Sequence, residues 1–239
     1  MAVFLKAKWE NIIMANYAVA PEILKPYLPN GVALDLYNNK AYVSLVGFMF
    51  KETKLFNIPI PWLGTFEEIN LRFYVVRKEI NEIKRGVVFV NETIPYKAVA
   101  WMANKLYKEH YTAIPTRHFW EIENGIKDIR YEWKINNEWN NISVQALTKS
   151  DTMTDGSFEA FIFDHYYGYT KIHDNATEEY IIKHPKWKTN KIINKKINCN
   201  FNKMYGAAFE YLSNIEPESI FIAEGSPIEV EWKRNRLHL

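Results

Sequence analysis

Cysteine is almost missing from this chain of 239 residues, and Cys199 stands alone. A single thiol excludes an intrachain disulfide and a cysteine-built metal site, and it fits a reducing compartment. No signal-peptide pattern opens the chain, so the expected location is cytoplasmic. Apolar runs such as Tyr42 to Phe50 are far too short to span a bilayer. A formal net charge of +2 leaves no global field to attract nucleic acid or acidic lipid. The chain also lacks a phosphate-binding glycine loop and a nucleophile-elbow pattern. No two histidines stand three or four residues apart, so no metal site is expected and no cofactor is implied.

Aromatic residues, in contrast, are plentiful: eight Trp, fifteen Tyr and fourteen Phe. They favour pleated, half-buried surfaces over helix bundles. Extended segments are expected at Val3–Tyr17, Ala41–Phe50, Phe66–Val75, Gly86–Thr93, Tyr111–Glu121, Ile126–Ile135 and Trp139–Leu147. Later ones follow at Tyr166–Lys171, Glu179–Ile182, Lys186–Phe201 and Ile220–Trp232, the last broken at Gly225–Pro227. Val32–Tyr37 reads as a hairpin arm joined to Ala41–Phe50 by Asn38-Asn39, and Asn124-Gly125 and Asn136-Asn137 read as further turns. Short helices are expected at Pro21–Leu28, at Tyr96–Tyr107, after an N-cap at Ser157, and at Met204–Leu212. No linker, repeat or low-complexity tract interrupts the chain. The fold class is therefore mainly β (β-rich α+β), an antiparallel barrel or cone with a few short peripheral helices, as one domain over residues 1–239.

The most informative stretch is Phe66 to Val75, which alternates without a break. As a strand it sends Ile69, Leu71, Phe73 and Val75 to one face and Glu68, Asn70, Arg72 and Tyr74 to the other. An acid, an amide, a guanidinium and a phenol then stand in one row, with a donor or acceptor at every step. By spacing alone this is either a hydrated sheet face or the wall of a polar cavity. Two other places offer groups that handle protons near neutral pH: His118 after Arg117, and His165 beside Asp164. The lysines around Trp187 read as a solvated basic face.

Several runs together resemble a known family, the YqjF-like uncharacterised proteins. They are Trp9–Tyr17, Pro21–Pro29, Tyr42–Phe48, Glu68–Val75, Gly86–Phe89, Phe158–Ile162 and His165–Thr170. That family looks like a distant relative of acetoacetate decarboxylase. The resemblance implies a β-cone around a small polar cavity, with Glu68 matching a glutamate on an inner strand. It also exposes departures. The decarboxylases form a Schiff base through a lysine pair after a Gly-x-Pro turn, whereas here the turn motif is lost and Tyr111-Thr112 stands in the pair's place. Their N-terminal arginine is missing too, with Glu10 near its position. Lys105 or Lys108 could supply the amine only if the correspondence slips by several positions.

The expected ligand is a small organic acid or carbonyl compound, with no nucleic-acid or membrane partner and self-association into a homo-oligomer left open. Glu68, Arg72 and Tyr111 are the candidate catalytic residues, and Asn70, Tyr74, His118 and His165 the candidate binding residues. Arg72 would clamp an anion, Glu68 would move a proton, and Tyr111 or Tyr74 would hydrogen-bond the reacting oxygen. The residues leave both an enzyme of changed chemistry and a non-catalytic binder or structural subunit open.

Overall fold

Asparagine-led turns fold the chain back on itself in the computed structural model, which describes residues 3–107, 110–232 and 234–238. Asn38-Asn39, Asn124-Gly125 and Asn136-Asn137 all have both central residues at positive φ, between 46° and 77°. Asn and Gly tolerate that region, and its twist matches the twist of antiparallel strands.

The chain opens with β1 (Val3–Val19) and a single helical turn, α1 (Pro21–Leu24). Next come β2 (Ala33–Leu34), the long β3 (Ala41–Leu55), β4 (Ile58–Pro59), β5 (Phe66–Lys78) and β6 (Ile83–Ile94). Helix α2 (Lys97–Tyr107) leads into β7 (Tyr111–Ala113). A meander follows, built from β8 (Thr116–Glu123), β9 (Ile126–Ile135) and β10 (Glu138–Thr152). After α3 (Phe158–Phe163) come β11 (Tyr167–His173), β12 (Ala176–Lys183) and β13 (Lys188–Asn198). Helix α4 (Phe201–Tyr205), a 3-10 segment at Ala207–Asn214, β14 (Ser219–Glu231) and β15 (Asn235–His238) complete the order.

These strands join in one mixed sheet. Seven of them run β12-β11-β6-β5-β3-β1-β14, and β14 returns to β12 through Ile182↔Val230 and Lys183↔Glu229. The mainly-β expectation holds, but the sheet is neither strictly antiparallel nor a regular barrel. β6 pairs in parallel with both β7 and β11, and the closing contacts are only two residue pairs long. Strands β13, β10, β9 and β8 continue from β14 as an arm that packs on the outside of the ring. Ile129, Tyr131 and Trp133 of that arm share one core with Ile69, Leu71 and Phe73 of β5. A second core fills the inner side, where Met14, Val46, Phe48 and Tyr74 meet Phe161, Ile162 and Phe163 of α3.

Four local expectations are corrected. Val32–Tyr37 is not the partner of β3: only Tyr37 and Lys40 bridge across the turn, while Ala33 and Leu34 pair with Val76 and Val75 of β5. Strand β3 is already flanked by β1 and β5, so neither of its edges is free. Tyr111–Glu121 splits at Ile114-Pro115, where proline has no N–H for the ladder; β7 pairs with β6 and β8 with β9. The helix placed at Met204–Leu212 starts earlier, capped by the Asn200 side chain, and stops at Gly206 with φ 94°. Strand β14 is unbroken because Gly225 takes φ 83°, with its α-carbon packed against the backbone of Trp9.

The seam between β6 and β11 depends on a second close approach. A Cβ on Gly86 would stand 2.6 Å from the Tyr167 carbonyl oxygen, a backbone atom that cannot swing away. Gly86→Ala should therefore destabilise the fold by about 1–3 kcal/mol. That amounts to a fall of roughly 3–10 °C in melting temperature for a chain of this size. Thermal unfolding followed by near-ultraviolet circular dichroism checks this, and an unchanged midpoint would show that the seam is not under such constraint.

Candidate functional site

The polar row on β5 points into the ring. All ten residues from Phe66 to Val75 are buried, so both faces of the strand are covered. Pairing of the strands then assembles the site. Asn70 lies opposite Glu92 on β6, and Glu92 lies opposite Tyr111 on β7, which places three polar side chains abreast. Asn70 Nδ2 donates to Glu68 Oε1 at 3.0 Å, and the Tyr111 hydroxyl reaches Glu68 Oε2 at 3.5 Å. Tyr111 is held in place by Asn104 of α2, whose side chain brackets its backbone with bonds of 2.7 and 2.8 Å.

These groups face a cavity of about 320 Å³. Glu68, Asn70, Arg72, Glu92 and Tyr111 supply its polar strip, and α2 covers it with Val99, Met102 and Ala103. The remaining wall is mostly apolar, with aromatic residues that include Trp9, Phe48, Phe50, Phe66 and Trp187. The cavity is thus amphipathic, where a small polar one was expected. Among its described lining residues there is no lysine. Lys105 instead lies exposed on α2 with its ammonium over the Trp101 ring, and Lys108 lies outside the described residues.

Arg72 is the unusual member of the set. Its side chain is buried, and among the described residues its guanidinium touches the Ile162 carbonyl oxygen at 3.3 Å, the Met14 sulfur at 3.4 Å and the Tyr74 ring face. Its Nε is buried without a hydrogen-bond partner, and among the described residues no carboxylate lies within ion-pair distance. A neighbouring acceptor, Asn70 Oδ1, is also buried without a partner. Burying a lone cation without compensation is expensive, normally several kcal/mol.

The other candidates stand apart from this cavity. The Tyr74 hydroxyl shares a hydrogen with Ser44 Oγ at 2.5 Å, and its ring packs against His165 with centroids 4.7 Å apart. His165 is buried, with Nε2 3.2 Å from Asp35 Oδ2, an oxygen that Arg85 also contacts at 3.2 Å. Burial pushes the His165 pKa down, and the shared Asp35 only partly offsets it. His118 is on the arm, half exposed, with Nδ1 2.5 Å from Glu67, which points to the opposite face of β5 from Glu68. Cys199 is buried in the outer core, and burial raises its thiol pKa well out of the reactive range.

Sequence reasoning missed Glu92, whose only signal was an acid inside the apolar Gly86–Thr93 run. It also missed Asp35, which meets His165 across 130 positions. Among the described residues, no three His, Cys, Asp or Glu side chains cluster as metal ligands, and no helix is long and apolar enough to cross a membrane.

Comparison with known proteins agrees with this architecture. The DUF2071 family, described as an uncharacterised conserved protein, matches residues 6–227. The uncharacterised protein YqjF of Bacillus subtilis (strain 168) is 33% identical over 86 residues, which is 36% of this chain and 34% of that protein. The match therefore spans about a third of that relative's length. An acetoacetate decarboxylase-like enzyme from Sphingomonas wittichii RW1 superposes with a TM-score of 0.66 at 8% identity, covering 100% of this chain and 94% of the other. The enduracididine biosynthesis enzyme MppR, complexed with pyruvate, superposes with a TM-score of 0.63 at 9% identity over 99% of this chain and 91% of its own. At such identities the likeness shows the acetoacetate-decarboxylase-like fold and nothing finer.

The His165 environment makes stability depend on pH with a definite sign. The ring's folded-state pKa lies below the ordinary value near 6.5, so on acidification the unfolded chain takes up this proton first. His165 thus supports full stability above about pH 6.5 and removes it as the pH falls toward the folded-state pKa, at up to about 1.4 kcal/mol per pH unit. His184 is depressed the same way by burial, but its contribution is common to both proteins compared. In urea unfolding from pH 7 to pH 5, His165→Gln should lose less stability than the wild type. Parallel curves would show that the ring is not held neutral.

Proposed function

Given that the chain belongs to the DUF2071 family, we propose that its cavity binds a small organic acid carrying a carbonyl group and exchanges a proton on it. The observation that carries the reading is Arg72, a buried guanidinium on the wall of that cavity with an unpartnered Nε and, among the described residues, no carboxylate within ion-pair distance. The missing counter-ion is best supplied by the ligand's carboxylate, which the planar fork of arginine accepts in bidentate fashion. Glu68 and Tyr111 then meet the carbonyl end. Glu68 takes a proton from the carbon next to the carbonyl, the electron pair moves onto the carbonyl oxygen, and the Tyr111 hydroxyl donates to the enolate formed. Return of the proton from Glu68 closes the step with no atom gained or lost. The step as written needs no amine, and no imine enters it. The pyruvate bound to MppR is a fact about that enzyme, and the shared fold supports looking among oxo acids here.

Isothermal titration with a panel of 2-oxo and 3-oxo acids and their neutral amides separates the roles. The acids should bind and the amides should not, and Arg72→Gln should weaken the acids by about 10- to 100-fold, the range of a charge-assisted hydrogen bond. Glu68→Gln should leave affinity nearly intact while slowing deuterium exchange at the carbon beside the carbonyl, followed by NMR, by at least about 100-fold. Equal binding of acids and amides, with Arg72→Gln like the wild type, would remove the anion reading. Exchange that ignores Glu68 would remove the catalytic one.

A further inference from the structure

The wall chemistry of the same cavity narrows the ligand further, and the inference rests on the reading of Arg72 as its carboxylate anchor. We propose that the natural ligand is a monocarboxylic acid with an extended apolar tail, of medium-chain or aryl-alkyl type, lying along β5 from Arg72 to Phe66. A volume of about 320 Å³ holds roughly ten non-hydrogen atoms at about 30 Å³ each, so a three-carbon acid leaves much of it empty. The ligand's direction is set by the strand: Asn70, Glu68 and Phe66 follow Arg72 along one face of β5. A ligand anchored at Arg72 and running along the strand passes Asn70 and Glu68 before it meets Phe66.

That wall is continuous. Phe66 stacks on Phe50 at 4.8 Å between centroids, Phe50 and Phe48 pack edge-on against Trp9 at 5.7 and 5.1 Å, and Trp187 completes the row at 6.1 Å. Beyond it, Phe4, Phe56 and Trp232 sit with centroids 4.9 to 5.7 Å apart, and all three line the cavity. The apolar lining thus extends to the half-exposed side chains of Phe56 and Trp232. A purely hydrophilic acid would gain nothing from that route, whereas each buried methylene of a tail contributes about 0.8 kcal/mol, a factor of about three to four in affinity.

The test titrates straight-chain carboxylates from acetate to decanoate, and the matched primary alcohols, against the wild type, Arg72→Gln and Phe66→Leu, reading Trp fluorescence and calorimetry. The expected result is an affinity gain of about a hundred-fold from butanoate to octanoate, levelling off once the cavity is full. The alcohols should be at least tenfold weaker. Phe66→Leu should reduce the gain of the longer acids and leave butanoate unchanged, and Arg72→Gln should weaken every acid by a common factor while keeping the slope. Thermal melts of both variants confirm that they remain folded. Acids that bind with no dependence on length would overturn the tail and leave the anchor standing. Alcohols that match the acids, with Arg72→Gln inert, would overturn the anchor and leave an apolar channel. No binding by any of them would overturn both.

Discussion

Strand β5 must be buried on both faces although every second residue in its middle is polar. The apolar half presents no difficulty, since Ile69, Leu71, Phe73 and Val75 pack against the arm formed by β8, β9 and β10. The polar half cannot be treated in the same way, because each donor or acceptor taken from water needs a replacement. Closing the sheet into a ring leaves the Asn70 amide donating to Glu68 and brings the Tyr111 hydroxyl of β7 to the same carboxylate. The same closure strips solvent from Arg72 without giving it an anion. The shape of the ring, the position of the cavity and the unusual state of Arg72 all follow from covering this one strand twice.

The ring is strong in some places and weak in others. β1, β3 and β5 form long antiparallel ladders, and Gly225 lets β14 run on beside Trp9 without interruption. The seams at β6–β11 and β12–β14 are two pairs each. With such short seams the ring is not an even barrel. Helix α2 covers the cavity, and its Asn104 ties the helix to β7. Local opening is drawn from regions with few contacts, which favours these seams over the β1–β3–β5 ladder.

Much of this was legible in the chain because short-range physics decides it. Asparagine pairs at positive φ mark the turns, Ser157 accepts from the Ala160 N–H as an N-cap should, and period-two alternation marks β5. What alternation cannot reveal is which side of a strand faces water. The row Glu68–Asn70–Arg72–Tyr74 reads the same on a surface as in a cavity, and only the pairing of distant strands distinguishes the two. Tyr74 shows the limit of the rule even within the row, since its hydroxyl turns to Ser44 and its ring to His165, outside the cavity. The pairing of β2 with β5 was hidden for a related reason: a local turn is a strong signal, but occupancy of both edges of β3 is a global fact. Glu92 and Asp35 acquire meaning only through partners that lie elsewhere in the chain.

The contrast between Arg72 and the aromatic wall is itself informative about ligand choice. In water a guanidinium discriminates weakly among anions, because solvent screens it. In an enclosed apolar cavity the same charge acts through a lower effective dielectric, and an anion that reaches it gains far more. An anion can reach it only by leaving its own hydration shell, and a small acid has no apolar surface to offset that loss. A ligand that buries hydrocarbon against Trp9, Phe50 and Phe66 recovers that loss through the hydrophobic effect. Under the proposed reading, the aromatic wall and the Arg72 guanidinium act together as one selectivity filter. On that reading the wall would exclude strongly hydrated anions that the cation would otherwise accept, and the cation would reject neutral hydrocarbons that the wall alone would hold.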